Sequence, residues 1–329
     1  MPQALSNLAV GSKVKFGKYQ VNTEDAQPII WTIVAKNHQC TPAYPENAVT
    51  LHATEILDLR CFDAIEVGNT TALRQNYGNN RYSVSNIDQW LNSDASGDAW
   101  YSAAHSKDHS PDTSSGTGSY GTQYANRPGF LNGFSVDEKS AILSTTIRSA
   151  KGEADGGSYE DIIRKVFLPT INEIGLSDAE ITTEGASWNY YTSMKDRVVC
   201  VTQQCFSNTP SRRKPSSKGA SWDWWTRTPV YEGGVSAYKI YTNGNLNTSL
   251  AYTGSVGVRP ALNLSSTLTV SDTTDADGCY TFVWTSPTDY TFTLNGTQYT
   301  NVARINYVSG NTTKQIKKLV VNGSTVWQA

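Results

Sequence analysis

Charge is scarce in this chain. Lys, Arg, Asp and Glu make up 17 % of its 329 residues and nearly cancel, leaving a formal net charge of −2. No basic stripe runs along it, which argues against nucleic acid as a partner. Lys314, Lys317 and Lys318 form only a short cluster, read as a solvated strand edge. Long apolar runs are missing too. Nothing approaches the roughly 20 residues that a membrane-spanning helix needs. The stretch from Met1 to Gly17 has neither the basic nor the apolar region of a secretory signal, so none is expected. Cysteine is sparse: five residues (Cys40, Cys61, Cys200, Cys205, Cys279), an odd and scattered set. They read as free thiols of a protein made in the cytoplasm, not as a disulfide framework. Cys200 and Cys205 are close, but no second pair accompanies them as a zinc site would require.

Catalytic signatures are also absent. The four histidines (His38, His52, His105, His109) all fall in the first third of the chain. His105 and His109 are four apart, but in a Ser/Asp/Pro-rich loop without the glutamate and helix of a metalloprotease. Gly116-Thr-Gly118-Ser-Tyr-Gly121 fits a dinucleotide-binding pattern by letters, yet no strand precedes it and no apolar helix follows. There is no Gly-x-Ser-x-Gly elbow and no phosphate-binding loop. Asp137-Glu138 sits at a helix start, where the dipole favours negative charge without any catalytic role. No nucleophile, base or metal set emerges. The chain reads as not an enzyme, with no metal and no cofactor.

What is present is aromatic and polar: nine Trp, eighteen Tyr, and much Ser, Thr, Asn and Gly. This suits a β-rich, turn-rich body. Core packing is the first use for the rings, and a rigid binding surface the second. Val14 to Tyr19 alternates apolar and polar, and Pro28 to Val34 is a near-continuous apolar run, so a hairpin is predicted. Ser85-Asn-Ile87-Asp-Gln-Trp90-Leu91 predicts a short capped helix. Ser135-Val-Asp-Glu138 is a capping box opening another. Residues 93–128 look too polar to pack a core. Asp161 to Leu168 is an apolar segment that Pro169 ends.

Further on, Trp222-Asp-Trp224-Trp225-Thr-Arg227-Thr-Pro229 is the densest aromatic patch. Asn243-Gly244 between two strand-like runs predicts a hairpin turn. Gly257 to Leu262 predicts one more strand. Residues 265–278 read as a transition, and beyond them the pattern is short strands and turns. Two parts are therefore expected, a domain over 1–266 and a small β module over 267–329. Residues 230–255 are rich in Tyr, Asn, Ser, Thr and Gly, with no Cys or His. That is the vocabulary of an antibody paratope, but also of an ordinary exposed hairpin. Composition does not choose between them.

The order of motifs resembles a domain family of gut Firmicutes and their phages. The residues that carry the resemblance are Val14, Phe16, Gly17 and Tyr19, then Pro28, Ile29 and Trp31, then Trp90-Leu91-Asn92. Phe134-Ser135 with Glu138-Lys139 and Phe167-Leu168 with Glu173 follow. Trp224-Trp225, Arg227 and Pro229, and finally Gly257 to Leu262, are the most specific. The resemblance implies an α+β chain with a C-type lectin fold of the formylglycine-generating-enzyme-like branch, followed by an Ig-like all-β module. Phage proteins diversified by retroelements use this fold and vary positions between the Trp-rich strand and the terminal Gly-x-Arg strand. By that likeness Trp224, Trp225, Arg227, Gly257 and Arg259 are scaffold. The candidate ligand contacts are Tyr231, Glu232, Ser236, Tyr238, Lys239, Tyr241, Asn243, Asn245, Asn247, Ser249, Tyr252 and Thr253.

The implied function is ligand display on a phage particle, binding a host-surface protein or glycan. The C-terminal module would contact other virion proteins, and a homo-oligomer, by analogy a trimer, is expected. The alternatives are a structural virion protein, such as a head decoration or fibre, and a formylglycine-generating-type enzyme. The latter would need cysteines near the terminal strand, and there are none between Trp222 and Arg259. The calcium-binding motifs of sugar-binding C-type lectins are missing as well.

Overall fold

The computed structural model describes residues 1–21, 25–112, 121–209 and 214–284, and, within 292–328, a set of strands. Most of the Gly116–Gly121 stretch, the Asn295-Gly296 and Asn322-Gly323 turns, and the side chains of Lys314, Lys317 and Lys318 lie outside the described residues. Two compact units are present, Met1–Phe282 and Val283–Ala329. Secondary structure is mostly sheet with a few short helices, a mixed α+β arrangement.

The first unit is built on two sheets. One has six strands in the order Tyr280–Thr281, Lys13–Tyr19, Gln27–Lys36, Ala48–Ala53, Ala261–Ser265, Val166–Phe167. Its first hairpin follows the predicted alternation, with Val14 opposite Trp31 in an antiparallel pair. Trp31 is fully buried, and its indole N–H donates to the Phe16 carbonyl at 2.7 Å. Burying such a ring is worth roughly 1.5–3 kcal/mol, and the hydrogen bond removes the cost of its polar end. Ala48–Ala53 is buried at every position, as a strand paired on both sides should be.

The other sheet has five strands in the order Leu246–Leu250, Ser236–Ile240, Trp224–Pro229, Gly257–Val258, Asp58–Leu59. All pairs are antiparallel except Gly257–Val258 with the tryptophan strand. The leading hairpin is therefore an edge of its sheet.

The helices are short, and three of the described α-helices are held by side-chain caps. Asn86–Leu91 starts after Ser85, whose hydroxyl accepts from the Asp88 N–H, and it buries Ile87, Trp90 and Leu91. Val136–Ala141 carries the predicted capping box, in which Ser135 and Glu138 satisfy each other's backbone donors. Glu138 also accepts from the Gly17 N–H at 3.0 Å, tying this helix to the first strand. Gly17 is in the left-handed region (φ +66°), and a Cβ there would stand 2.2 Å from the Phe134 ring. Helices this short are marginal alone, so tertiary packing keeps them.

Three expectations are corrected. The described residues of 93–128 do pack a core: Trp100 and Tyr124 are buried and stacked, with centroids 5.5 Å apart. Two large rings outweigh the polar residues around them, because the Trp100 N–H and the backbone find partners such as the Ala125 carbonyl. Gly257 to Leu262 is not one strand. Gly257–Val258 belongs to the five-stranded sheet and Ala261–Ser265 to the six-stranded one, with Arg259-Pro260 at the crossing. Proline lacks the N–H a continuous ladder would need.

Residues 267–282, expected in the C-terminal module, belong to the first unit, to which they add two short strands. Thr269–Val270 pairs with Gln3–Ala4, and Tyr280–Thr281 pairs with Val14–Lys15. Their unpaired edges are satisfied by the start of the chain. In the second unit, three antiparallel strand pairs are described: Phe292–Leu294 with Thr297–Tyr299, Ile305–Ser309 with Thr312–Ile316, and Lys318–Val321 with Ser324–Gln328.

Candidate functional site

The tryptophan strand Trp224–Pro229 is buried along its whole length. The Trp224 indole donates to the Arg197 carbonyl at 3.0 Å, and the Trp225 indole to the Arg60 carbonyl at 2.9 Å. Arg227 makes two parallel hydrogen bonds to Glu173, both 2.8 Å, and a third to the Leu168 carbonyl at 2.6 Å. Glu173 in turn accepts from the Tyr44 hydroxyl at 2.6 Å and the Thr170 N–H at 2.9 Å. A buried ion pair is tolerated when geometry is bidentate and the remaining lone pairs are filled, and both hold here.

Gly257 accepts no side chain, since a Cβ would stand 2.6 Å from Ile56 and 2.7 Å from the Asp223 carbonyl. Arg259 donates to the Ala53 carbonyl at 2.7 Å and the Tyr191 hydroxyl at 3.0 Å. All five scaffold candidates are thus buried.

The twelve candidate contacts are nowhere buried. Glu232, Tyr241, Asn243, Asn245 and Asn247 are exposed, and Tyr231, Ser236, Tyr238, Lys239, Ser249, Tyr252 and Thr253 are half-buried. They do not form one surface. Tyr238 lies opposite Thr248 and Lys239 opposite Asn247, so strand alternation sends the two side chains to opposite faces. Tyr238 donates to Asp178 at 2.8 Å, and Lys239 pairs with Asp223 at 2.5 Å. Burial first, and then the Asp178 hydrogen bond, holds the Tyr238 phenol above its ordinary range. Tyr252 sits beside Tyr77, with centroids 5.7 Å apart, and Tyr231 lies against Gly157. Four of the twelve are therefore engaged within the fold.

The hairpin tip is different. Gly244 adopts φ +85° and its carbonyl accepts from Arg197 at 2.9 Å, which fixes the turn against the Met194–Arg197 segment. Asn243 and Asn247 use their side-chain oxygens on the N–H groups of Asn245 and Thr248, at 3.0 and 2.7 Å. Their amide N–H groups make no hydrogen bond among the described residues. Tyr241 is 43 % exposed, with the Lys239 ammonium 5.9 Å from its ring. This tip offers a ring and amide donors, the adaptable contacts of a recognition surface.

Sequence reading missed several partners. Asp178 and Asp223 lie 60 and 16 residues from the side chains they hold, beyond any local pattern. Met194 and Val198 are also exposed and flank the Gly244 turn, where a Cβ would come within 2.9 and 3.2 Å of them. Glu184 is fully buried beside Thr228 and accepts from the Ala150 N–H at 2.8 Å; burial pushes its carboxyl up to about 7. His105 lies 3.1 Å from Glu66, and its neighbour His109 lies near the Val67 carbonyl. Burial and the nearby Asp108 raise the Asp63 carboxyl in the same loop cluster. Among the described residues, no group of three or more His, Cys, Asp or Glu side chains could hold a metal ion. Nor is any helix there long and apolar enough to cross a membrane.

A family model described as a domain of unknown function, DUF6273, matches residues 47–266, which takes in both strands of the hairpin and the whole tryptophan strand. The chain belongs to that family. No curated protein and no solved structure matches it.

Proposed function

We propose that this DUF6273 chain is a ligand-display protein of a phage particle, with a C-type-lectin-type fold in its first unit. Its job in this reading is to hold the hairpin around Tyr241 toward a host-surface protein or glycan. One observation carries the proposal: five framework residues are buried on the Trp224–Pro229 strand and at Gly257 and Arg259, beside the edge hairpin and turns whose twelve candidate contacts all reach solvent. A stiff core beneath a tolerant surface is what a sequence-variable binding face requires. The pairing of Gln3–Ala4 with Thr269–Val270 supports a lectin-type closure of the core by the two ends of the unit. The C-terminal strand pairs would serve as an Ig-like module contacting other virion proteins, and retroelement-driven variation would act on the hairpin.

Within the candidate set, Tyr241, Asn243, Asn245 and Asn247 are the primary contacts, because Tyr231, Tyr238, Lys239 and Tyr252 already have partners in the fold. The test is saturable binding of labelled protein to intact host bacteria. Tyr241→Ala should weaken binding by about 2 kcal/mol or more if the ring is an anchor. Binding that survives Tyr241→Ala combined with Asn245→Ala removes the hairpin from the interface. The gene supplies a second check: adenine-rich codons over residues 236–253 with a nearby imperfect repeat and reverse transcriptase are expected.

A further inference from the structure

A second recognition site lies at the far edge of the five-stranded sheet, next to its Asp58–Leu59 strand and away from the hairpin. There a cavity of about 220 Å³ opens between the end of the Lys13–Tyr19 strand, the Arg127–Gly133 segment and Arg60. Its back is tight. Gly133 lies directly on the Lys18 carbonyl, where a Cβ would come within 1.9 Å. The Tyr19 and Phe130 rings stand side by side with centroids 5.7 Å apart.

The charge on these walls is one-sided. Arg60 is 2 % exposed and salt-bridged to Asp58 at 2.6 Å, and its guanidinium lies over the Tyr124 ring. Asp58 spends itself within the fold, on Arg60, on the Tyr19 hydroxyl and on the Leu59 N–H. Two nearby carboxylates are also committed: Glu138 to the Gly17 and Ser135 N–H groups, and Asp94 to Lys139. Lys18 is exposed and Arg127 half-exposed on the lining of the cavity, and neither side chain has a hydrogen bond or ion pair among the described residues.

Among the described arginines, that isolation sets Arg127 apart. Arg60, Arg74, Arg81, Arg148, Arg164 and Arg227 each hold a carboxylate, and Arg197 and Arg259 hold backbone carbonyls. An arginine without a partner beside an aromatic-walled cavity has its planar fork free for a carboxylate.

We propose that this cavity binds the carboxylate of an acidic sugar residue. The volume is below the roughly 300–1,000 Å³ that encloses a drug-sized ligand, so it takes one ring of a longer chain. Arg127 grips the carboxylate through two N–H groups, and Lys18 adds charge from the rim. Tyr19 and Phe130 provide an apolar wall for the ring, and the amides of Gln20 and Asn132, which also line the cavity, face its hydroxyls. The site stands independently of the hairpin reading, since it shares no residue with it.

Calorimetric titration of the full chain with glucuronate, glucose and inorganic phosphate tests this. Glucuronate should bind saturably and more weakly as salt rises, while glucose shows no uptake. Arg127→Gln and Lys18→Gln should each weaken glucuronate by about tenfold or more. Both variants should fold as the parent does, because neither side chain supports another residue, and an unchanged melting curve checks that. Tyr241→Ala should leave glucuronate binding unaltered, which separates failure of this site from failure of the hairpin. Glucose binding as well as glucuronate, phosphate competing on equal terms, or undiminished binding by Arg127→Gln would each overturn the assignment.

Discussion

The Arg259 guanidinium lies 4.9 Å from the ring centroid of Trp224, and through that contact the two main sheets are joined. Trp224 belongs to the five-stranded sheet, while Arg259 donates to Ala53, the last residue of a strand in the six-stranded one. The carbonyl of Arg259 is itself held, at 2.9 Å from His52 Nε2, and His52 Nδ1 lies 2.6 Å from the Tyr191 hydroxyl that Arg259 also contacts. One arginine therefore spans a ring, a carbonyl and a phenol at the point where the chain crosses between sheets.

From this joint comes the first prediction. Arg259→Lys keeps the charge but loses the planar fork that reaches Ala53 and Tyr191 together. A loss of about 2–4 kcal/mol is expected, since buried hydrogen-bond partners are left unpaired. Urea denaturation measures it. A change under about 0.5 kcal/mol would mean the sheets are joined by something else.

The Arg227–Glu173 pair behaves differently because each partner fills the other's valence. Arg227→Met alone should cost about 3–5 kcal/mol, as it strands a buried carboxylate. Glu173→Gln alone should be severe for the same reason, with a guanidinium left uncompensated. The double substitution should cost clearly less than the two single losses combined, and a double-mutant cycle reads that coupling. Strict additivity would show that the two side chains do not sense each other.

Much of this was legible in the sequence where the signal is local. The Ser85 and Ser135 caps, the Val14–Trp31 hairpin and the Asn243-Gly244 turn depend on residues within a few positions of each other, and the helices and strands form there. What the sequence could not give are partners set by topology. Glu173 meets Arg227 from 54 residues away, and Asp178 meets Tyr238 from 60. The crossing at Arg259-Pro260 was read as a continuous strand because its apolar letters are the same on either side. Residues 267–282 join the first unit, against the expected boundary at 266, because strand signals say nothing about which edge they pair with. Of the candidate face, the hairpin was readable, but its division into held and free side chains was not.

Glu184 makes stability depend on pH. Burial raises its folded pKa to about 7, above the ordinary value of 4.5, so the folded state retains a proton that the unfolded chain has released. The sign follows from proton counts: the unfolded state binds fewer protons in this window, so stability falls as pH rises from about 4.5 to about 7. Below that window the group costs nothing. Glu184→Gln removes the titration while keeping an acceptor for the Ala150 N–H. The parent should therefore lose ground to the variant by roughly 2–3 kcal/mol between pH 4.5 and pH 8, read from denaturation midpoints across that range. A constant difference at all pH values would show that folding leaves the Glu184 carboxyl at its ordinary pKa.

The hairpin tip allows rigidity and recognition to be separated. Gly244 has φ +85°, and a Cβ there would lie 2.5 Å from the Met194 carbonyl. Gly244→Ala must then strain the backbone and push the turn off the Met194–Arg197 segment, also loosening the bond from Arg197 to the Gly244 carbonyl. A cost of about 1–3 kcal/mol is expected. Tyr241, one hairpin residue away from that turn, is exposed at the surface, so Tyr241→Ala should change stability by no more than about 0.5 kcal/mol. If the tip is the contact surface, both substitutions weaken host-cell binding, but by different routes. Tyr241→Ala removes an anchor from an intact fold, whereas Gly244→Ala displaces the anchor and destabilises the chain at once. Melting curves measured beside binding isotherms distinguish the two, and full binding by Gly244→Ala would mean that the turn's fixed geometry has no part in recognition.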